Sequence, residues 1–524
     1  MMFEQLHINK RDKYYLLFLI IFSTILVGYY INFNNNIGIY CSDVYVYLLN
    51  AIYYTGTNIR STDTIYLSPL ICGLTSIFFY FGFVDKIAIY IVTGAFAIFG
   101  NIACYLLFKR FFNENLSLTG AIIYSSTSLY LTWLANGTLD IPAISMTLWT
   151  GLFLMMAIHD NPKYYQYAAV FLILGIFTRY TLLLTMPAFA LYYIYEKGFK
   201  IDSKDLKYIL RGIGIAMLIA IIVLSAIMIM SQGHFGAGNQ ISSGISGAQG
   251  SSHDPAYNTN KSYYVDNFIN FISNSHTKID GNPILENPTP LSWAVMLLLI
   301  IGVILWIFEH KRNLEKKDAI PCILFLLAAI SFTHVSSVIT TLIVLVGLYF
   351  MGKDSPNKAE YFMLAWIFSN IIFYSYYSIK VNRYILPIFP PVIYFVLLAT
   401  NTINERFKIN ENIIPLLLIC LFILQAFTFT FTFEVPDKYK AIEDASNYII
   451  ENNPDYEKIP IGVYNVRSFN WWLGEHLLPI ASNDEETIDA SNATYYISDR
   501  TLTHVKNYTQ IKDINNIYIY KKGA

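Results

Sequence analysis

The chain has 524 residues, of which 55% are hydrophobic, 16% aromatic and 14% charged, with a net charge of −1. A charged fraction so far below the quarter usual in soluble domains, spread over many apolar runs, excludes a soluble globular protein and indicates a polytopic membrane protein. The balance of basic and acidic residues gives no overall attraction to nucleic acid, so no nucleic-acid partner is expected.

Apolar spans are predicted at 14–31, 86–108, 117–134, 141–158, 165–178, 180–195, 208–230, 291–308, 318–333, 336–351, 360–378, 384–400 and 412–432, thirteen in all. The first follows a basic N-terminus (Lys10, Arg11, Lys13) but has no small-residue cleavage site, so it reads as a retained anchor. The stretch from Leu67 to Phe83 carries Pro69 near its start and is short for a span. Lysine and arginine decide its status: if it does not cross and the N-terminus is cytoplasmic, eighteen basic residues fall in inner loops and seven in outer loops before the tail. It is therefore read as an interfacial helix on the outer side.

This topology puts residues 32–85, 135–140, 231–290 and everything after Phe433 outside, in a multi-pass protein of the cell membrane with a cytoplasmic N-terminus and an extracytoplasmic C-terminus. Residues 231–252 are half Gly and Ser, which predicts a mobile linker or flap. From Glu434 the composition changes: a helical pattern at KYKAIEDASNYIIENN precedes short β-rich runs at IPIGVY, ATYYIS and NIYIYKK. The fold class is thus an all-α membrane domain over 1–432, with about 13 transmembrane helices, and a small α/β extracytoplasmic domain over 433–524. Within the tail, Trp471 and Trp472 either stack on a sugar face or fill a small core. Cys41, Cys72, Cys104, Cys322 and Cys420 have no metal-like or disulfide-like spacing and read as small core residues.

Mid-span positions hold almost no acidic or basic residues, which argues against a coupled transporter. The ionisable residues near the membrane sit at outer helix ends: Asp43, Asp140, Arg179, His334, Lys380 and Arg383. Such a gathering suits chemistry on an amphipathic substrate whose head group lies at the outer surface. Asp43, in SDVYVYLLNAIYYTGT, is a candidate general base or metal ligand, or else a helix cap together with Ser42. Asp140, in LDIP, is a second candidate acid or an N-cap. Arg179 in TRYT and Arg383 in NRYILPIFPP either snorkel or clamp a phosphate. Lys380, Arg60, Tyr384 and His334 complete the candidate substrate-binding set.

Taken in order, the acid of the first outer loop, the interfacial SPLICGLTSIFFYFG helix, LDIP, TRYT and the RYxLPxxP segment resemble integral-membrane glycosyltransferases of the GT-C fold. The nearest likeness is to the dolichyl-phosphate-mannose protein mannosyltransferase and lipid A aminoarabinose transferase relatives, in their prokaryotic branch. The resemblance implies transfer of a hexose or pentose from a polyprenyl- or dolichyl-phosphate donor to a glycan, lipid or protein acceptor on the outer face. It makes Asp43 the catalytic carboxylate, places Asp140 in the second acidic turn, and makes Arg179 and Arg383 donor-phosphate contacts. Many relatives carry a second acid directly after the first; here Val44 follows Asp43. No cofactor is implied beyond a divalent metal. The absence of a nucleotide-binding fingerprint agrees with a lipid-linked donor. Two other classes remain open on the sequence: a transporter or flippase for lipid-linked glycans, and a polysaccharide polymerase or ligase.

Overall fold

The computed structural model describes residues 8–56, 69–230, 256–280, 282–309, 319–332, 334–474 and 476–523. Helices stand at all thirteen predicted positions, and among the described residues six are long and apolar enough to cross a membrane unaided. Three predicted spans are interrupted, for local reasons. The run at 117–134 breaks at Thr127, whose extended backbone ends the Glu114–Ser126 helix and whose hydroxyl caps the Ser128–Thr132 helix. The runs at 180–195 and 384–400 each begin as a 3₁₀ segment, Tyr180–Thr185 and Asn382–Ile388. Each continues as an α-helix with proline in its first turn, where its missing N–H costs nothing.

The Asp140–His159 helix is buried almost throughout and forms the centre of the bundle. Outer helices such as Lys10–Ile37 and Ser203–Met230 expose leucine and isoleucine on the surface that lipid would cover. The Pro69–Tyr80 helix has 12 residues, which at about 1.5 Å per residue is too short to cross about 30 Å of hydrocarbon. It packs along the Ser42–Tyr53 and Ile87–Phe108 helices as a short non-crossing element. Of the cysteines, Cys41, Cys72 and Cys104 are buried as expected, whereas Cys322 and Cys420 lie on the exposed helix surface. Apolar periodicity alone does not say which face of a span meets lipid and which meets protein.

At the end of the bundle that holds the N-terminus of the first helix, Asp12 closes a capping box with Asn9 and receives the Tyr105 hydroxyl at 2.5 Å, and Lys109 joins Glu114 at 2.7 Å. At the opposite end, part of the long loop forms an antiparallel hairpin of β1 (Asn274–Asp280) and β2 (Asn282–Pro288). A buried polar network ties its base to the bundle. Gln425 accepts from the Ser273 hydroxyl at 2.6 Å and donates to Ser128 at 2.8 Å, and Ser128 also accepts the Asn274 N–H. The Gly- and Ser-rich residues 231–252, expected to be mobile, lie outside the described residues.

The tail forms β3 (Ile461–Val463), β4 (Leu477–Pro479), β5 (Tyr495–Ser498), β6 (Tyr508–Ile514) and β7 (Ile517–Lys522) in the order β4-β3-β5-β7-β6. The β4/β3/β5 pairs are parallel and the β5/β7/β6 pairs antiparallel. The Lys438–Asn452 and Val466–Leu473 helices cover one face with Ala441, Ala445, Ile449, Phe469 and Leu473. Three contacts seat this unit on the bundle. Gly38 ends the first helix with φ +83°, and a Cβ there would lie 2.6 Å from the Tyr439 backbone, so only glycine permits the approach. Trp471 stacks on Phe79 with ring centroids 5.8 Å apart. Buried Lys86 pairs with Glu443, and its ammonium lies over the Trp472 ring at 5.6 Å. The tryptophan pair therefore packs in the interface between sheet unit and bundle.

Because Lys86 is almost wholly buried, Glu443→Gln should lower stability by about 3 kcal/mol, the cost of leaving one partner of a buried pair uncompensated. Replacing both residues with apolar ones, Lys86→Met with Glu443→Leu, should recover most of that loss. Thermal melts of the purified chain in detergent measure both.

Candidate active site

Asp43 lies in the first turn of the Ser42–Tyr53 helix, whose N-cap position is Cys41 and carries no side-chain cap bond. Asp140 is the first residue of the Asp140–His159 helix, and that helix also lacks a side-chain cap. Neither acid spends its carboxylate on capping; both turn to arginines. The turn before Asp140 is held against the first helix by Asn34, which donates to the Leu134 and Ala135 carbonyls at 3.0 Å each. Gly137, at φ +87°, lets Val44 approach to where a Cβ would stand 2.7 Å from its methyl, bringing the two acidic segments together. Asn136 is buried, donating to the Tyr40 hydroxyl at 2.9 Å and accepting from Thr138, so this Asn-Gly-Thr sequon has no accessible amide for glycosylation.

Arg179 and Arg383 come from the two interrupted helices, each immediately before or within the 3₁₀ segment. Arg383 Nη2 pairs with Asp43 Oδ2, Nε lies 3.2 Å from Asp140 Oδ2, and Nη1 donates to Cys41 Sγ at 2.7 Å. Arg179 Nη1 donates to the same Asp140 Oδ2 at 3.3 Å. The chain of charges Asp43–Arg383–Asp140–Arg179 is thus neutral as a unit. Aromatic faces flank it: the Arg383 guanidinium lies 5.1 Å from the Trp133 ring centroid, and Tyr384 lies 5.7 Å from Arg383 and 5.3 Å from Arg179.

A cavity of about 1000 Å³ opens beside this unit, lined from the bundle by Cys41, Asp43, Trp133, Arg383 and Tyr384. The tail supplies the opposite wall, with Tyr439, Arg467, Asp499, Asn515 and Asn516 among its residues. Asn515 and Asn516 have φ of 49° and 68°, the left-handed pair that a tight β6–β7 hairpin requires, and this turn places both at the cavity. Burial pushes the Asp43 carboxyl up, but the guanidinium of Arg383, with Arg179 and Arg467 behind it, holds it below the usual carboxylate value.

The other candidates lie elsewhere. Lys380 is buried and donates to the Tyr374 and Ser375 carbonyls at 2.7 and 2.8 Å, closing the end of the Lys358–Tyr376 helix. Burial, with Lys261 nearby, lowers its ammonium to about 8. His334 is exposed in the turn before the Ser337–Gly352 helix and is not among the cavity-lining residues. Arg60 lies outside the described residues. Trp133, Cys41 and Arg467 were not predicted as site residues. Arg467 belongs to RSFNWWLGEH, where no spacing rule connects it to a site hundreds of residues upstream.

A family model described as dolichyl-phosphate-mannose-protein mannosyltransferase matches residues 64–226. Among solved structures, ArnT from Cupriavidus metallidurans in the apo state is similar at 9% identity and a TM-score of 0.53, over 96% of this chain and 97% of that one. The chain has the GT-C glycosyltransferase fold. The Archaeoglobus fulgidus oligosaccharyltransferase in its apo form is similar at 12% identity and a TM-score of 0.50, over 93% of this chain and 70% of that one. No curated protein matches the chain. The likeness drawn from the order of outer-loop motifs therefore holds for the fold. Within this GT-C architecture the four charged residues gather at one end of the bundle, beneath the sheet unit.

The two acids should separate in their effect on folding. Asp140→Asn removes the shared partner of two buried guanidinia and should destabilise by about 3–5 kcal/mol. Asp43, with 38% of its side chain exposed to the cavity, should cost about 1 kcal/mol when replaced by Asn. Detergent melts of both variants check the difference.

Proposed function

We propose that the chain transfers a sugar from a polyprenyl-phosphate carrier to a hydroxyl-bearing acceptor at the outer end of its helix bundle, with Asp43 as general base. The observation that carries this reading is the open carboxylate of Asp43, positioned by Arg383 at the wall of a cavity bounded by both the bundle and the sheet unit. The GT-C fold and the match of residues 64–226 to a family described by its dolichyl-phosphate-mannose donor support it. A carrier lipid lies in the bilayer beside the bundle, and its phosphate reaches the level of the outer helix ends.

In this mechanism the acceptor hydroxyl donates to Asp43, its oxygen attacks the anomeric carbon, and the bond from that carbon to the phosphate oxygen breaks. In-line displacement inverts the anomeric centre, and the lipid phosphate leaves with the bonding electron pair. Arg383 donates to Cys41 and Asp43 through Nη1 and Nη2, and its Nε lies at ion-pair distance from Asp140. Arg179 engages Asp140 through Nη1, packs on the Tyr384 ring and is not among the cavity-lining residues, so as the proposed contact of the departing phosphate it would be reached from outside that cavity. The wall formed by Arg467, Asp499, Asn515 and Asn516 offers alternating donors and acceptors, which suits a glycan head group. Transport is not favoured, because the spans carry almost no acidic or basic residue at mid-span positions to line a through-path.

With a polyprenyl-phosphate sugar as donor, Asp43→Asn should lower transfer by about 10²–10⁴-fold while leaving the fold intact; near-normal turnover would sink the base assignment. Because Asp43 sits below its usual value, the acid limb of the pH–rate profile should lie below about pH 4. Asn516→Ala and Arg467→Gln should raise the acceptor KM and leave the donor KM unchanged. A change confined to the donor would instead assign that wall to the carrier lipid.

A further inference from the structure

The two acids converge on one cation, and that cation is a side chain. A divalent ion held by a carboxylate pair takes about six oxygen ligands at short range. Asp43 and Asp140 have the placement for such a pair, but the Arg383 guanidinium lies between them, in contact with Asp43 and 3.2 Å from Asp140. It is 4% exposed, lies against the Trp133 ring and is tethered to Cys41, so it is packed in place by three sides of the site. Arg179 takes up the same Asp140 oxygen, and Arg467 adds a third positive charge near Asp43. A divalent ion would have to enter a unit whose two negative charges are already balanced and whose nearest remaining neighbours are cations. Nor is there a third ligand: Val44 follows Asp43, and among the described residues no cluster of three or more His, Cys, Asp or Glu side chains is placed to hold a metal. The residues present do not fit the divalent metal that the family resemblance allowed.

We infer that Arg383 takes the place of a divalent cation in this site, bridging Asp43 to Asp140 and orienting the base. Arg383 is accordingly a positioning residue. Its guanidinium fixes which Asp43 oxygen faces the cavity, and the planar fork that spans two carboxylates cannot be reproduced by the single ammonium of lysine. The functional consequence rests on the reading of Asp43 as base, but the occupancy of the acid pair does not, and the two can be tested separately.

The occupancy test uses the purified full-length chain and Mn²⁺ alone, followed by electron paramagnetic resonance. The parental protein should show no Asp43-dependent Mn²⁺ binding tighter than about 1 mM. Arg383→Ala should open the acid pair and gain such binding, and adding Asp43→Asn should remove it. Mn²⁺ bound by the parental protein and lost in Asp43→Asn would overturn the inference, and this measurement requires no Arg383 variant to fold. The functional test follows mannose transfer from dolichyl-phosphate mannose. Rates should be unchanged by a chelator, and Arg383→Lys should lose about tenfold or more in kcat with little change in donor KM. A chelator-induced loss restored by Mn²⁺ would also overturn the inference. Failure of this donor to react at all, with the Mn²⁺ result as expected, would count against the proposed reaction and leave the occupancy of the acid pair standing.

Discussion

The structure depends on one oxygen. Asp140 Oδ2 lies within 3.3 Å of two guanidinia that arrive from different interrupted helices, and through Arg383 it is joined to a second acid on a third element. Buried charges are costly unless paired, so Asp140 and the two arginines that meet it require one another. That requirement explains why the chain breaks two of its spans at this depth. A continuous helix would carry Arg179 or Arg383 past the site in regular rotation; an extended residue followed by a 3₁₀ turn and a proline-started helix holds it at the end of the bundle. Backbone irregularity in a membrane protein is tolerated where it is enclosed by protein, and the buried Arg383 segment satisfies that condition.

The cavity is a product of docking. The bundle alone presents Asp43 and Arg383 as part of an open end. The sheet unit closes over them, seated where Gly38 admits the Tyr439 backbone, where Trp471 meets Phe79, and where Lys86 finds Glu443. The tail then contributes Arg467 and the Asn515–Asn516 turn to the opposite wall. Electrostatics passes across this boundary, since Arg467 helps to hold the Asp43 carboxyl ionised. A domain that looked like an appendage in the sequence is therefore half of the candidate site.

Much of the architecture was legible in one dimension because the membrane imposes a length and an apolarity that local sequence must meet. The thirteen hydrophobic stretches, a short helix beginning at Pro69 and the change of composition at Glu434 each correspond to structure. The charged residues at helix ends were legible for the same reason: a charge beside hydrocarbon is conspicuous. Their roles as caps or snorkelling side chains were equally compatible with sequence, and only the carboxylate–guanidinium distances exclude capping for Asp43 and Asp140.

The sequence by itself determined that this is a polytopic membrane protein with its ionisable residues gathered at helix ends and an α/β tail, since hydropathy, proline placement and periodicity are local properties. Only the tertiary structure decided which charge pairs with which. Lys380 and Arg383 are three residues apart, yet one closes the end of a helix and the other bridges two acids, because Lys380 stands before the extended Val381 and Arg383 lies beyond it in the 3₁₀ segment, so their side chains reach different neighbours. Likewise Cys41, Trp133 and Arg467 join one cavity from segments far apart in the chain. Contacts of that kind are set by how helices and sheet pack, and no local pattern records them.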